Sequence, residues 1–181
     1  MRSTSEFLLA DLKARTHKHI RAAKELLTLS DDVLNQRSSE KSWSALECLE
    51  HLNLYGDFYL PEIQSRMERS RHVTERTFKS GLLGNYFAQS MLPKAKLNKM
   101  KTFNDKNPIG SSLTRQTIHH FIAQQQEMLT LLQKAAAVSL NRTKTRISIP
   151  FPVKLKLGDT FRFVIYHNER HIAQALGAIT P

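Results

Sequence analysis

The sequence predicts an all-α protein, a four-helix bundle whose helices are joined by long crossover connections. Four segments carry apolar residues at three- and four-residue steps with charged residues between them, the pattern of amphipathic helices. Six glycines and six prolines are few for 181 residues, while Leu, Ala, Lys, Glu and Gln are abundant. This composition favours helices over a sheet of short strands.

The first helix is predicted over residues 4–30. Leu8, Leu12, His19 and Ala23 recur along one of its faces, and the pattern ends before the acidic pair that begins at Asp31. A histidine within such a stripe is expected to be satisfied by hydrogen bonds in the core or with solvent. Residues 32–41 are polar and are predicted to form the link to the second helix.

The second helix is predicted over residues 44–69. Ser44 followed by Glu47 is a capping-box pattern, in which each side chain satisfies a backbone N–H group that the first turn leaves unpaired. The following connection reaches Gly110 and is predicted to contain a short helix over residues 85–91. In a helical bundle a connection of this length is expected to cross one end or side and to wall a pocket.

The third and fourth helices are predicted over residues 111–138 and 159–178. Residues 140–157 between them contain a β-branched run followed by Pro150 and Pro152, and are predicted to form an extended loop. Asp159 follows Gly158 and is expected to cap the N-terminus of the fourth helix. His119 and His120 are adjacent, so they cannot share a helical face and are expected at the surface.

Length and composition predict one domain over residues 1–181. Cys48 is the single cysteine, so no internal disulfide can form, and the absence of a signal peptide or a membrane-spanning apolar run predicts a cytoplasmic protein without a membrane partner. The net charge is +11. Because the lysines are dispersed over connecting regions, we expect a solvated surface or a preference for anionic substrates rather than a nucleic-acid partner.

Three histidines are candidate metal ligands. His167 and His171 lie four residues apart on the fourth helix and share one face, and His51 lies on the apolar second helix. Three neutral imidazoles leave a coordination position open for water or substrate, as in catalytic metal sites. Spacing alone leaves the alternative of buried, hydrogen-bonded histidines open, because such pairs arise by chance.

Glu47, Tyr55 and Gln174 are the candidate pocket residues, since each lies about one turn from a proposed ligand on the same helical face. They are positioned to orient a nucleophile or the second nitrogen of a ligating imidazole. Glu47 also has a structural role in the capping box, and Tyr55 also fits the apolar core.

Two motifs together resemble the DinB-like (DinB/YfiT) superfamily of bacterial metal-dependent enzymes: W-S-x-x-E-x-x-x-H at residues 43–51 and H-x-x-R-H-x-x-Q at residues 167–174. The resemblance implies a four-helix bundle with one divalent metal ion held by His51, His167 and His171. Zinc and nickel are the expected metals. Many relatives carry a His-Pro pair and a Phe-Gly turn before the last helix, whereas this chain has Phe151-Pro152 and Gly158 without the histidine.

The resemblance also implies chemistry, because characterised relatives include transferases that use a low-molecular-weight thiol. The leading hypothesis is a metal-dependent S-transferase or hydrolase that acts on a small electrophile, with a thiol as cosubstrate. The alternative is a noncatalytic helical module that binds an anionic partner through its basic loops, Lys94 to Lys106 and Lys144 to Lys156. A homodimer is compatible with either hypothesis.

Overall fold

The protein is mostly helical in a computed structural model that describes residues 1–93, 102–148 and 152–180. The helical class predicted from the sequence is therefore confirmed. In the described residues there are six α-helices: α1 Ser5–Leu26, α2 Asp31–Asn35, α3 Ala45–Glu68, α4 Leu82–Met91, α5 Gln116–Lys134 and α6 Leu157–Ala178. Two short 3₁₀ turns occur at Asn104–Lys106 and Ala135–Ala137.

The four long helices pack in pairs around the core. Helix α3 packs against α5 and α6, and α1 packs against the same two helices from the other side. The shorter α4 lies against α6. Because α3 and α6 are direct neighbours, side chains that face each other across this pair can meet inside the protein.

The helix boundaries differ from the prediction at the first helix. Helix α1 ends at Leu26, and Ser30 then caps a separate short helix by accepting a hydrogen bond from the Val33 backbone N–H, 3.4 Å away. The predicted polar link therefore begins with a helical turn. At α3 the predicted capping box is present, with Ser44 and Glu47 exchanging both hydrogen bonds.

Two short antiparallel ribbons add strands that the sequence did not reveal. Strand β1, Arg2–Thr4, pairs with β2, Thr77–Lys79, and β3, Lys144–Arg146, pairs with β4, Lys154–Lys156. The extended loop predicted over residues 140–157 is thus partly an antiparallel strand pair, in which Thr145 lies opposite Leu155. Both of these side chains are buried. Residues 149–151, including Phe151 of the predicted Phe151-Pro152 pair, lie outside the described residues.

Asp159 does not cap α6, which was the prediction. The helix begins two residues earlier, and Lys156 occupies the capping position without a side-chain hydrogen bond. The Asp159 carboxylate instead accepts hydrogen bonds from the Gly81 backbone N–H, at 2.8 Å, and from the Ser80 hydroxyl. It therefore fastens the start of α4 to α6.

A band of buried polar side chains separates two apolar clusters in the core. One cluster contains Leu12, Ile63 and Phe161, and the other contains Leu46 and Phe121. All four long helices pass from one cluster to the other through buried polar residues, which are His19 on α1, His51 and Asn53 on α3, Gln124 and Gln125 on α5, and His167, Asn168 and His171 on α6. The three candidate ligands belong to this band.

The position of α6 is sensitive to bulk at Gly158. A Cβ atom added there would lie 2.5 Å from the ring of the fully buried Phe78 on β2. We expect Gly158→Ala to lower the free energy of unfolding by about 1–3 kcal/mol, as overpacking does. Denaturant titration followed by circular dichroism would measure this.

Gly177→Ala is the matched control in the same helix. A Cβ at Gly177 would meet no atom within 4 Å. Alanine is the better helix former, so this change should raise the free energy of unfolding, by up to about 1 kcal/mol near a helix end. Equal effects of the two substitutions would contradict the packing at Gly158.

Candidate metal centre

Three buried imidazoles converge between α3 and α6. Each of His51, His167 and His171 offers one nitrogen such that these three atoms all lie within 4.8 Å of one another. The Nε2 atoms of His51 and His167 are 3.2 Å apart. Two of the residues are presented by one face of α6, and the third is presented by α3, so the group depends on the packing of these two helices.

The outer nitrogen of His51 is held by a backbone oxygen. His51 Nδ1 lies 2.7 Å from the carbonyl oxygen of Lys106. A carbonyl can only accept, so Nδ1 carries the proton and the Nε2 lone pair faces the other imidazoles. This hydrogen bond fixes both the tautomer and the orientation of the ring.

The loop that carries Lys106 is fastened to the start of α3. The Gly110 N–H donates to the Glu47 carboxylate at 2.6 Å, and the indole N–H of Trp43 donates to the side-chain oxygen of Asn107 at 3.1 Å. Gly110 has a φ of 82°, a conformation that favours glycine. Both contacts are made by loop residues that follow Lys106, and they anchor the loop whose Lys106 carbonyl meets His51.

Glu47 acts on the cluster indirectly. Its carboxylate also accepts a hydrogen bond from the Ser44 N–H at 2.9 Å and forms an ion pair with Arg37 at 2.5 Å. Burial alone would raise the pKa of Glu47, but the hydrogen bonds from Ser44, Arg37 and Gly110 lower it overall. The structure therefore places this predicted pocket residue at the capping box, and it is not among the described residues that line the pocket.

Gln174, one of the candidate pocket residues, contacts His171. The side-chain oxygen of Gln174 lies 2.9 Å from His171 Nδ1, one turn along α6. With this oxygen as acceptor, Nδ1 is protonated and Nε2 keeps its lone pair. Two of the three imidazoles thus have an outer hydrogen-bond partner, an arrangement that orients metal-ligating histidines in proteins.

The imidazoles are held in the neutral form. Burial is the main cause, and it lowers the pKa of His51 to about 4 and that of His171 to about 3. Burial, together with the charges of the other two histidines and Arg170, holds the pKa of His167 well below its ordinary value. Neutral imidazole is the form that binds a metal ion, so the donor set, its geometry and its protonation all fit a divalent cation.

The cluster opens into a pocket of about 1060 Å³. Tyr55 lines it and packs against two of the imidazoles, with its ring centroid 4.9 Å from that of His51 and 4.7 Å from that of His167. Burial raises the pKa of the Tyr55 phenol to about 12, so it is protonated at neutral pH and can donate a hydrogen bond. Gln174 also lines the pocket.

Two further pocket residues were present in the sequence motifs but had no predicted role. Trp43 lies against the cluster, with its ring centroid 4.7 Å from that of His51, and Arg170 lines the pocket although it is 7% exposed. Burial lowers the pKa of the Arg170 guanidinium. Their adjacency to Ser44 and His171 in the motifs was the available signal. No sequence pattern could have identified the Lys106 carbonyl, because every residue has a backbone carbonyl.

The predicted basic surface is only partly described. Residues 94–101 of the first basic loop lie outside the described residues. The second basic loop forms the β3–β4 ribbon, in which Lys144 lies directly opposite Lys156 and Arg146 opposite Lys154. Arg146 also forms an ion pair with Glu62, at 3.0 Å.

The fold and the site together define a class: a mostly helical protein with a buried three-histidine cluster that could hold a metal ion. The family comparison is consistent with this class. The family model described as the DinB superfamily matches residues 11–175. The chain belongs to this superfamily, and the match includes all three histidines. No curated protein and no solved structure matched the chain. In the described part of the chain, no helix combines the length and apolar character needed to cross a membrane.

The protonation of the cluster predicts a pH dependence of stability. Between an unfolded pKa of 6.5 and a folded pKa of about 4, the unfolded chain binds a proton at His51 that the folded protein excludes. Lowering the pH through this range should therefore destabilise chelator-treated protein, by roughly 3 kcal/mol from His51. Urea unfolding of wild type and His51→Phe at pH values across this range isolates the contribution. A difference between the two proteins that is independent of pH would contradict it.

Proposed function

We propose that this protein is a metal-dependent enzyme that acts on a small molecule, with His51, His167 and His171 as ligands of one divalent ion, zinc or nickel. The observation that carries this proposal is the meeting of three neutral imidazoles, with one nitrogen of each within 4.8 Å of the others, at a pocket of about 1060 Å³. A ligand set closed by a fourth protein donor would suit a structural site, whereas three imidazoles beside a pocket suit a catalytic one.

We further propose that residues 1–181 form one domain and that the four long helices form the four-helix bundle of the superfamily. The pairwise packing of α1 and α3 against α5 and α6 supports this arrangement. The single cysteine, Cys48, is buried, as suits a protein of a reducing cytoplasm. A homodimer remains our working hypothesis for the assembly.

The reaction we propose is conjugation of a low-molecular-weight thiol to a small electrophile. A bond forms between the thiolate sulfur and the electrophilic carbon, the leaving group departs with the electrons of the bond that breaks, and the thiol proton passes to solvent. Hydrolysis is the variant in which water replaces the thiol. A divalent ion with an open position lowers the pKa of water or thiol, which supplies a nucleophile at neutral pH. Tyr55 can donate a hydrogen bond from its protonated phenol into the pocket. Gln174 and the Lys106 carbonyl hold the imidazole rings, and aromatic side chains form part of the pocket lining.

Metal content provides the first test of the site. Elemental analysis of protein purified without a histidine tag should find up to one equivalent per chain, and His171→Ala should abolish it because only two imidazoles remain. Gln174→Leu removes the partner of His171 Nδ1 and should weaken metal affinity by about 10–100-fold. His119→Ala, at an exposed histidine of α5, is the matched control and should retain the metal. Full retention in His171→Ala would exclude the site.

Activity provides the second test. Protein loaded with zinc, nickel, manganese or iron should conjugate at least one common cellular thiol to a member of an electrophile panel, or hydrolyse such a compound, faster than His171→Ala does. The variant lacks a ligand but keeps the pocket walls, so it measures the background. If no metal form exceeds this background, the noncatalytic module that binds an anionic partner becomes the better hypothesis.

A further inference from the structure

We infer that the pocket binds uncharged aromatic compounds, whose rings pack against the aromatic side chains beside the three imidazoles. This inference rests on the proposed function, because it names the substrate class of the same site. It concerns the binding of the substrate rather than its turnover, so it can be tested on protein with and without a metal ion.

A continuous series of ring contacts is the first argument. The ring centroid of Trp43 lies 4.7 Å from that of His51. Tyr55 then contacts both His51 and His167, at centroid distances of 4.9 Å and 4.7 Å. Phe163 stacks on His167 at 5.9 Å, with the two ring planes 15° apart. All five side chains line the pocket, so a ligand that reaches the imidazoles meets aromatic rings.

The breadth of this aromatic lining is the second argument. Further rings reach the pocket from other parts of the chain: Tyr59 from α3, Tyr86 and Phe87 from α4, and Phe103 from the loop before α5. The volume of about 1060 Å³ leaves room for a compound of more than one ring. Because contacts between aromatic rings are favourable beyond the burial of apolar area, this lining favours an aromatic ligand over a saturated one of the same size.

The hydrogen bonding of the polar lining is the third argument. The Tyr59 hydroxyl accepts a hydrogen bond from the Ser148 backbone N–H at 3.1 Å, and the Ser90 hydroxyl donates to the Phe87 carbonyl at 2.8 Å. Gln174 is similarly engaged with one of the imidazoles. A polar ligand would have to share or break these hydrogen bonds, whereas an aromatic ring leaves them intact.

The charges of the lining are the fourth argument, because they do not select a charged ligand. Among the described lining residues there is no Asp or Glu, so a cation would lack a carboxylate partner. Lys41 is exposed, where solvent weakens its attraction for an anion, and Arg170 already has an interaction of its own. Burying a charge without a partner costs free energy. An uncharged ring avoids this cost.

Trp43 makes the binding measurable, because it is the single tryptophan of the chain and lines the pocket. The probe is N-phenyl-1-naphthylamine, an uncharged aromatic dye that accepts energy from tryptophan and brightens in apolar surroundings. It should bind saturably to zinc-loaded and to chelator-treated protein, with energy transfer from Trp43.

Competition with three single-ring compounds then defines the chemistry of the pocket. Benzyl alcohol should displace the dye at a concentration lower by about twofold or more than cyclohexylmethanol, its saturated counterpart. Cyclohexylmethanol is the more hydrophobic of the two, so partition into a merely apolar pocket would give the opposite order. Benzyltrimethylammonium, a cation with the same ring, should displace the dye less well than benzyl alcohol.

Variants locate the dye within the protein. Phe163→Leu and Phe87→Leu each remove one ring, from different helices, and keep an apolar side chain. Each should weaken dye binding by about threefold or more and reduce the preference for benzyl alcohol over cyclohexylmethanol. Phe7→Leu is the matched control, at an aromatic side chain of α1 that is 66% exposed and is not among the described lining residues. It should leave both measurements unchanged.

The outcomes separate this inference from the proposed function. Wild-type protein that holds no metal ion, yet binds the dye with the aromatic preference, would refute the metal site and support the aromatic pocket. Wild-type protein that holds zinc but shows no energy transfer to the dye, or that prefers cyclohexylmethanol or the cation, would overturn the inference alone. Equal effects of Phe7→Leu and the two pocket variants would also overturn it. Circular dichroism establishes that each variant is folded.

Discussion

The burial of a polar band across the middle of four helices is the constraint on which this structure depends. Buried polar groups cost free energy unless they are hydrogen-bonded. On one side of α6, Asn168 donates to Gln125 at 3.0 Å, and between α3 and α5, Asn53 donates to the Thr117 carbonyl at 3.0 Å. On the other side, outer hydrogen-bond acceptors offset part of the free-energy cost of burying the three imidazoles. A metal ion would complete their coordination.

The same constraint explains why the loops contribute as much as the helices to the geometry of the histidine cluster and its pocket. The loop after α4 supplies the Lys106 carbonyl, and the capping box at α3 holds that loop through the Glu47 contact with Gly110. The residue that completes the helix cap, Glu47, therefore also helps to orient His51. In a similar way Asp159, within α6, fastens the start of α4, whose residues Phe87 and Met91 line the pocket.

Much of the helical framework could be predicted because it follows from local patterns. The capping box at Ser44 and the helical spacing of His167, His171 and Gln174 depend on residues within one or two turns of each other. The strand pairs could not be predicted in this way, since Ser3 pairs with Phe78 from a distant part of the chain. Asp159 was misassigned because a carboxylate after a glycine fits a local cap as well as it fits a tertiary contact.

The sequence by itself determined the helical class, the helices on which the three histidines lie, and the resemblance that linked them to one site. Tertiary structure alone decided that a backbone carbonyl fixes the tautomer of His51, and that Arg170 and Trp43 line the pocket. The physical reason is that periodicity specifies which face of a helix is buried. It does not specify which partner covers that face, because this depends on how distant segments pack.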